Sequence, residues 1–203
     1  MHISEGFLTL PSLAVGWAAA AAGVSVGLKR IDPDGIVKVA MASSVFFLAS
    51  LINVRIPPAS THLSLIGPIG LLLGWSVFPA IFTALLLQAV LFQFGGLAVL
   101  GVNTSTMAAS ALCAHLLFGR AVRGRSAALS AAASFAAGAM AVVMGAALVG
   151  IWLAASDPKM LASAYAIFIA HIPLAVIEGI AALFMTSFLR RSYPDILNAA
   201  GLR

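Results

Sequence analysis

The chain has 203 residues, 62% of them hydrophobic and 8% charged, with a formal net charge of +5. Soluble globular domains run to about 45–50% apolar and about 25% charged residues, so this composition excludes a water-soluble domain and predicts an integral membrane protein. Its positive residues form no basic run interleaved with aromatics, which excludes a nucleic-acid binder, and the single Cys113 excludes an intrachain disulfide or a cysteine metal cluster.

The chain begins "MHISEG". No Lys or Arg precedes the first apolar run, so the opening is unlike a cleaved signal. His2 is also too bulky for easy methionine removal, and the expectation is a mature chain that keeps Met1 with a free amine. Apolar runs of about 20 residues span a bilayer as helices, and the clear ones lie near 8–28, 36–54, 97–118, 127–155 and 161–189. The stretch 63–94 is too long for one span and short for two. It carries Gly67, Pro68, Gly70, Gly74 and Pro79, which break or kink helices.

Charge decides that stretch. Lys and Arg near span ends favour the cytoplasm. Two short helices, near 62–74 and 76–94, make seven spans with the N-terminus outside and the C-terminus inside. Lys29, Arg30, Lys38, Arg120, Arg123, Arg125, Arg190, Arg191 and Arg203 then fall inside, and only Arg55 and Lys159 outside. One span instead of two would put the Arg120–Arg125 cluster on the opposite side from Lys29–Arg30. The expected fold is therefore all-α: one polytopic transmembrane bundle over 1–203, with residues 1–7 as an external segment. His2 and the loop that carries His62 share the external face.

A Met-His terminus is a chelator. The α-amino nitrogen and the His2 amide nitrogen close a five-membered ring on a metal, and the His2 amide and Nδ1 close a six-membered one. The amide must lose its proton, which Ni²⁺ or Cu²⁺ promotes. One in-plane position stays open, and His62 can fill it. Square-planar nitrogen ligation points to Ni²⁺ or Cu²⁺, and low-spin Co²⁺ also accepts it.

Four stretches resemble one family in order: "MHISEGFL" at the start, "STHLSLIGPIGLLLG" (60–74), "FQFGGLAVLGVNTSTMA" (92–108) and "IPLAVIEGI" (172–180). They are similar to the "MHIxEG", "SxHL…GP", "GGxxxLGxNxxxM" and "PLAxxEG" segments of CbiM/NikM-type proteins, the substrate-binding (S) components of energy-coupling factor transporters for cobalt and nickel. The loop "VRIPPAS" departs from the family's small-residue variants and leaves the metal open, although "THL" is closer to the nickel type. The resemblance implies that Met1, His2 and His62 bind one Ni²⁺ or Co²⁺ ion as transported substrate. It implies no cofactor and no enzymatic activity in this chain. It implies partners instead: a transmembrane coupling (T) subunit, two ABC-type ATPase subunits and often a small accessory membrane subunit. The location implied is the bacterial or archaeal cell (inner) membrane.

Other residues fit around that centre. Ser60, Thr61, Asn103, Thr104 and Ser105 are candidates to orient its ligands, with Asn103 expected about two turns into the membrane below it. Glu178, in the middle of the last span, costs at least ~2.5 kcal/mol at the bilayer centre and needs an interior partner. Asn103 or His171, seven residues earlier on the same helical face, are candidates. His115 reads as interfacial, without a role. The small residues Ala19, Gly23 and Gly27 on the first span, and Ala40 and Ser44 on the second, form a candidate docking face. No G-x-x-x-x-G-K-[ST] is present, so this chain is not the motor. Two rival readings stand beside this one: an S component for an organic vitamin, and an intramembrane hydrolase.

Overall fold

A computed structural model describes residues 2–33, 35–56 and 59–199, with the backbone alone for residues 53–61 and 198–199. A two-residue strand β1 (His2–Ile3) is followed by helices α1 (Leu10–Lys29) and α2 (Gly35–Ala49). Strands β2 (Asn53–Ile56) and β3 (Ala59–His62) come next, then α3 (Ile66–Leu73), a 3₁₀ turn (Gly74–Ser76) and α4 (Val77–Phe92). The long helices α5 (Leu100–Val122), α6 (Ala127–Ser156) and α7 (Leu161–Ser192) complete the bundle, and a short α8 (Pro194–Ala199) ends it.

The helix ends follow local chemistry. Pro11 opens α1, where its missing N–H costs nothing. The Ser126 hydroxyl accepts the Leu129 N–H and starts α6. Among the described residues, four stretches are long and apolar enough to cross a membrane: Leu10–Lys29, Ile66–Phe92, Ala127–Ser156 and Pro158–Ser192. At 15 residues, α2 falls short of that length.

Within Ile66–Phe92 the chain reverses. Glu178 holds Ser64 and Leu65, just ahead of α3. At the far end of α4, a Cβ on Gly95 would meet His2, whose ring lies against His62. Both ends of the segment therefore lie in one place, and the turn at Gly74, where φ is +53°, lies at the other. There Arg30 sits over the Trp75 ring at 5.4 Å and His115 faces the Leu71 carbonyl at 3.3 Å. The eight residues of α3 reach only about 12 Å, about half the length of α4.

The central position of α3 depends on two glycines. A Cβ on Gly67 would lie 2.5 Å from the Gly138 Cα on α6, and one on Gly70 would lie 2.1 Å from the Ala111 carbonyl oxygen on α5. Backbone meets backbone there, and Ile66–Leu71 are all buried.

The remaining contacts fix which ends group together. Thr9 and Ser12 at the start of α1 bond the Ser156 hydroxyl at the end of α6. Arg190 at the end of α7 donates to the Gly124 and Arg125 carbonyls after α5, at 2.6 and 2.7 Å. One end of the bundle thus holds the strands, residues 93–99 and residues 157–160. The other holds Lys29, Arg30, Arg120, Arg123, Arg125, Arg190 and Arg191.

The bundle is helical as expected, with a three-stranded sheet of order β1-β3-β2 capping one end. Two other expectations change. On α1, Ala19 is exposed but Gly23 and Gly27 are not an outer surface: Cβ atoms on them would strike Phe78 and Pro79, so they pack on α4. His115 is not idle, since it closes the far end of α3 through Leu71.

Candidate metal centre

The centre is built on the sheet. β1 runs antiparallel to β3, with His2 opposite Ser60 and Ile3 opposite Ala59. β2 pairs on the other edge of β3, with Asn53 opposite His62. His62 lies two residues beyond Ser60, so it falls on the same face as His2, as a diagonal neighbour. The two imidazole rings lie 4.5 Å apart, centroid to centroid, at 38°. Both are buried, at 1% and 3% exposure.

The tautomer of His62 follows from its partner. Its Nδ1 lies 3.0 Å from the Leu63 carbonyl and can only donate there, which leaves Nε2 with a lone pair. That Nε2 and both nitrogens of His2 are buried without a hydrogen-bond partner among the described residues. A buried unpaired polar atom costs about 1–3 kcal/mol, so three together on facing rings mark a place where a ligand belongs. Burial holds both rings well below the usual imidazole range, so both are neutral near pH 7 and able to ligate. The Phe46 ring stands edge-on to His62 at 6.1 Å and walls the other side.

Around this pair the structure supplies main-chain clamps. The Asn103 side chain accepts the Ile3 N–H at 2.9 Å and donates to the Ile3 carbonyl at 3.0 Å, fixing the residue that follows His2. Glu5 accepts the Ala98 N–H at 2.8 Å, and its own N–H reaches the Gly95 carbonyl at 3.1 Å. Glu178 accepts from the Ser64 N–H, from the Ser64 hydroxyl at 2.8 Å and from the Leu65 N–H at 2.9 Å. All of these are donors, as an ionised carboxylate requires. They lie at the N-terminal end of α3, where the helix dipole favours negative charge.

Several expected residues take other places. Asn103 is in the first turn of α5, level with the centre and not two turns below it, because α5 begins at Leu100. Glu178 partners neither Asn103 nor His171, but the chain that leaves His62. The Ser105 hydroxyl bonds the Val102 carbonyl of its own helix, so it is turned from the centre. The Thr104 hydroxyl is buried with no partner among the described residues. Met1, and the hydroxyls of Ser60 and Thr61, lie outside the described residues; the Ser60 backbone pairs with His2. Sequence reasoning missed Ile3, Phe46, Ser64 and Leu65, and the only available signal was their adjacency to the two histidines and the apolar run around Phe46.

Comparison with known proteins follows the same lines. A family model described as the cobalt uptake substrate-specific transmembrane region, CbiM, matches residues 2–196. A protein of Haemophilus influenzae named for metal transport is 38% identical over 200 residues, covering 98% of this chain and 97% of that one. The cobalt transport protein CbiM of Geobacter sulfurreducens is 32% identical over 217 residues, covering all of this chain and 63% of that one. The fused nickel transport protein NikMN of Rhodobacter capsulatus is 36% identical over 114 residues, 53% of this chain and 33% of that one. The crystal structure of a transition metal transporter has the same fold, with a TM-score of 0.80 at 24% identity over 94% of this chain and 93% of its own. A family-model match over residues 2–196, nearly the whole chain, places this protein in the CbiM family.

Proposed function

We propose that this chain captures Ni²⁺ or Co²⁺ at an external site and passes it to an ATP-driven import machine. The observation that carries the reading is the pair of buried, neutral, facing imidazoles with three unpartnered nitrogens. Met1 supplies its amine, His2 its amide nitrogen and Nδ1, and His62 its Nε2, in one square plane. The tautomer of His62 supports this, since only Nε2 is free. No three His, Cys, Asp or Glu side chains among the described residues converge closely enough to hold an ion, which favours a centre completed by main-chain nitrogens.

The bundle is a seven-span one, α3 and α4 forming a re-entrant pair, with the sheet end outside. The gathering of arginines at the opposite end supports that orientation. The driving force comes from partners, a transmembrane coupling subunit and two ATPases, with a small accessory membrane subunit. The fused relative in Rhodobacter capsulatus, three times the length of its matched part, supports assembly with further segments. The exposed Ala40–Ser44 face of α2 is the remaining small-residue surface for docking.

The test is equilibrium Ni²⁺ binding to the purified chain. Replacing His62 with Ala should weaken binding at least tenfold, while one residue added ahead of Met1 should abolish transport in reconstituted vesicles. It moves the histidine to third place and makes a four-nitrogen chelate that no longer needs His62. Unchanged affinity in His62→Ala contradicts the reading.

A further inference from the structure

A third imidazole lies on α7, the helix that packs against β3. His171 lies on the inner face of α7 at 1% exposure. Its Nδ1 donates to the Ile167 carbonyl, one turn earlier, at 2.7 Å. That fixes the tautomer, so Nε2 carries a lone pair, and Nε2 is buried with no partner among the described residues. Its height is set by Glu178, seven residues later on the same face. Glu178 holds Ser64 and Leu65, and seven helical residues rise about 10 Å. From Ser64 back to His62 the chain covers at most about 7 Å. His171 therefore lies near the height of His62, on the helix that packs against the His62 strand.

We propose that His171 is a further metal-contacting residue, whose Nε2 meets the ion from the membrane side of the nitrogen plane as an axial donor. The inference rests on the Met1–His2–His62 reading and adds a selectivity role to it. Low-spin Ni²⁺ is satisfied by four nitrogens in a plane and leaves His171 idle. Low-spin Co²⁺ has one unpaired electron directed along the axis and takes a fifth donor. His171 thus determines how well the centre holds cobalt relative to nickel.

Electron paramagnetic resonance of the full chain, in lipid nanodiscs with one equivalent of Co²⁺, reads that axial position. An axial nitrogen-14 splits the high-field lines into three. The wild-type chain should show the triplet. Labelling with nitrogen-15 histidine should convert it to a doublet, with no substitution that could disturb folding. His171→Ala should lose the splitting while cobalt stays bound, with Co²⁺ affinity falling about tenfold and Ni²⁺ affinity held. Unsplit lines in the wild type, a triplet unaffected by histidine labelling, or equal losses for the two metals would overturn the proposal. A wild-type chain that binds no Co²⁺ or Ni²⁺ would instead overturn the chelate reading beneath it.

Discussion

At the residue scale, the state of the two imidazoles decides how the centre responds to protons. His2 and His62 are neutral in the folded chain because burial disfavours their charged forms. Metal binding therefore displaces no ring protons near pH 7. In the proposed chelate the protons released come from the α-amine, whose ordinary pKa is about 7.7–8.0, and from the His2 amide. Calorimetry in buffers of different ionisation enthalpy should find about two protons released per ion near pH 7. Four would mean charged rings, and none would exclude the amide. The same burial links stability to pH. The folded pKa values lie below the unfolded one of about 6.5, so the unfolded chain binds more protons in acid, and the metal-free protein loses stability as pH falls below about 6.5. Asn103 and His2 could be picked from the sequence because amides and imidazoles declare their chemistry. Ile3 could not, because Asn103 recognises only its main chain, which any residue would present.

At the element scale, α3 links the centre to the bundle. It is short, buried along Ile66–Leu71, and closed at its start by Glu178 and at its far end by His115. The break near Gly74 could be read from glycine, proline and charge parity. The sheet could not. β1 has two residues and pairs with a strand 57 positions away, so no local alternation exists to reveal it. The α1 glycines were misread for a related reason: G-x-x-x-G marks close helix packing without saying whether the neighbour is a partner protein or the chain's own α4. Glu178→Gln keeps the shape but presents an amide N–H₂ to main-chain donors. It should cost about 1–3 kcal/mol in stability and weaken metal binding 10–100-fold by freeing the His62 turn. Thermal unfolding and Ni²⁺ titration of that variant check both, and wild-type values in both would remove Glu178 from the support of the centre.

At the scale of the whole molecule, the helical membrane bundle was visible in composition, and the proposed seven spans and sidedness rest on the placement of Lys and Arg. The re-entrant α3–α4 pair and the common ends of α1 and α6 agree with that layout. What composition could not show is how His2 and Ile3 come to lie in the interior: Asn103, Glu5 and the edge of β3 draw β1 into the bundle. The proposed centre therefore requires a free amine on Met1. Acetylating it in the purified chain, and comparing Ni²⁺ titrations by calorimetry with the unmodified protein, tests this directly. The unmodified chain should bind one ion, and the acetylated chain should bind at least a hundredfold more weakly, about 2.7 kcal/mol. Equal affinity of the two forms would contradict the account.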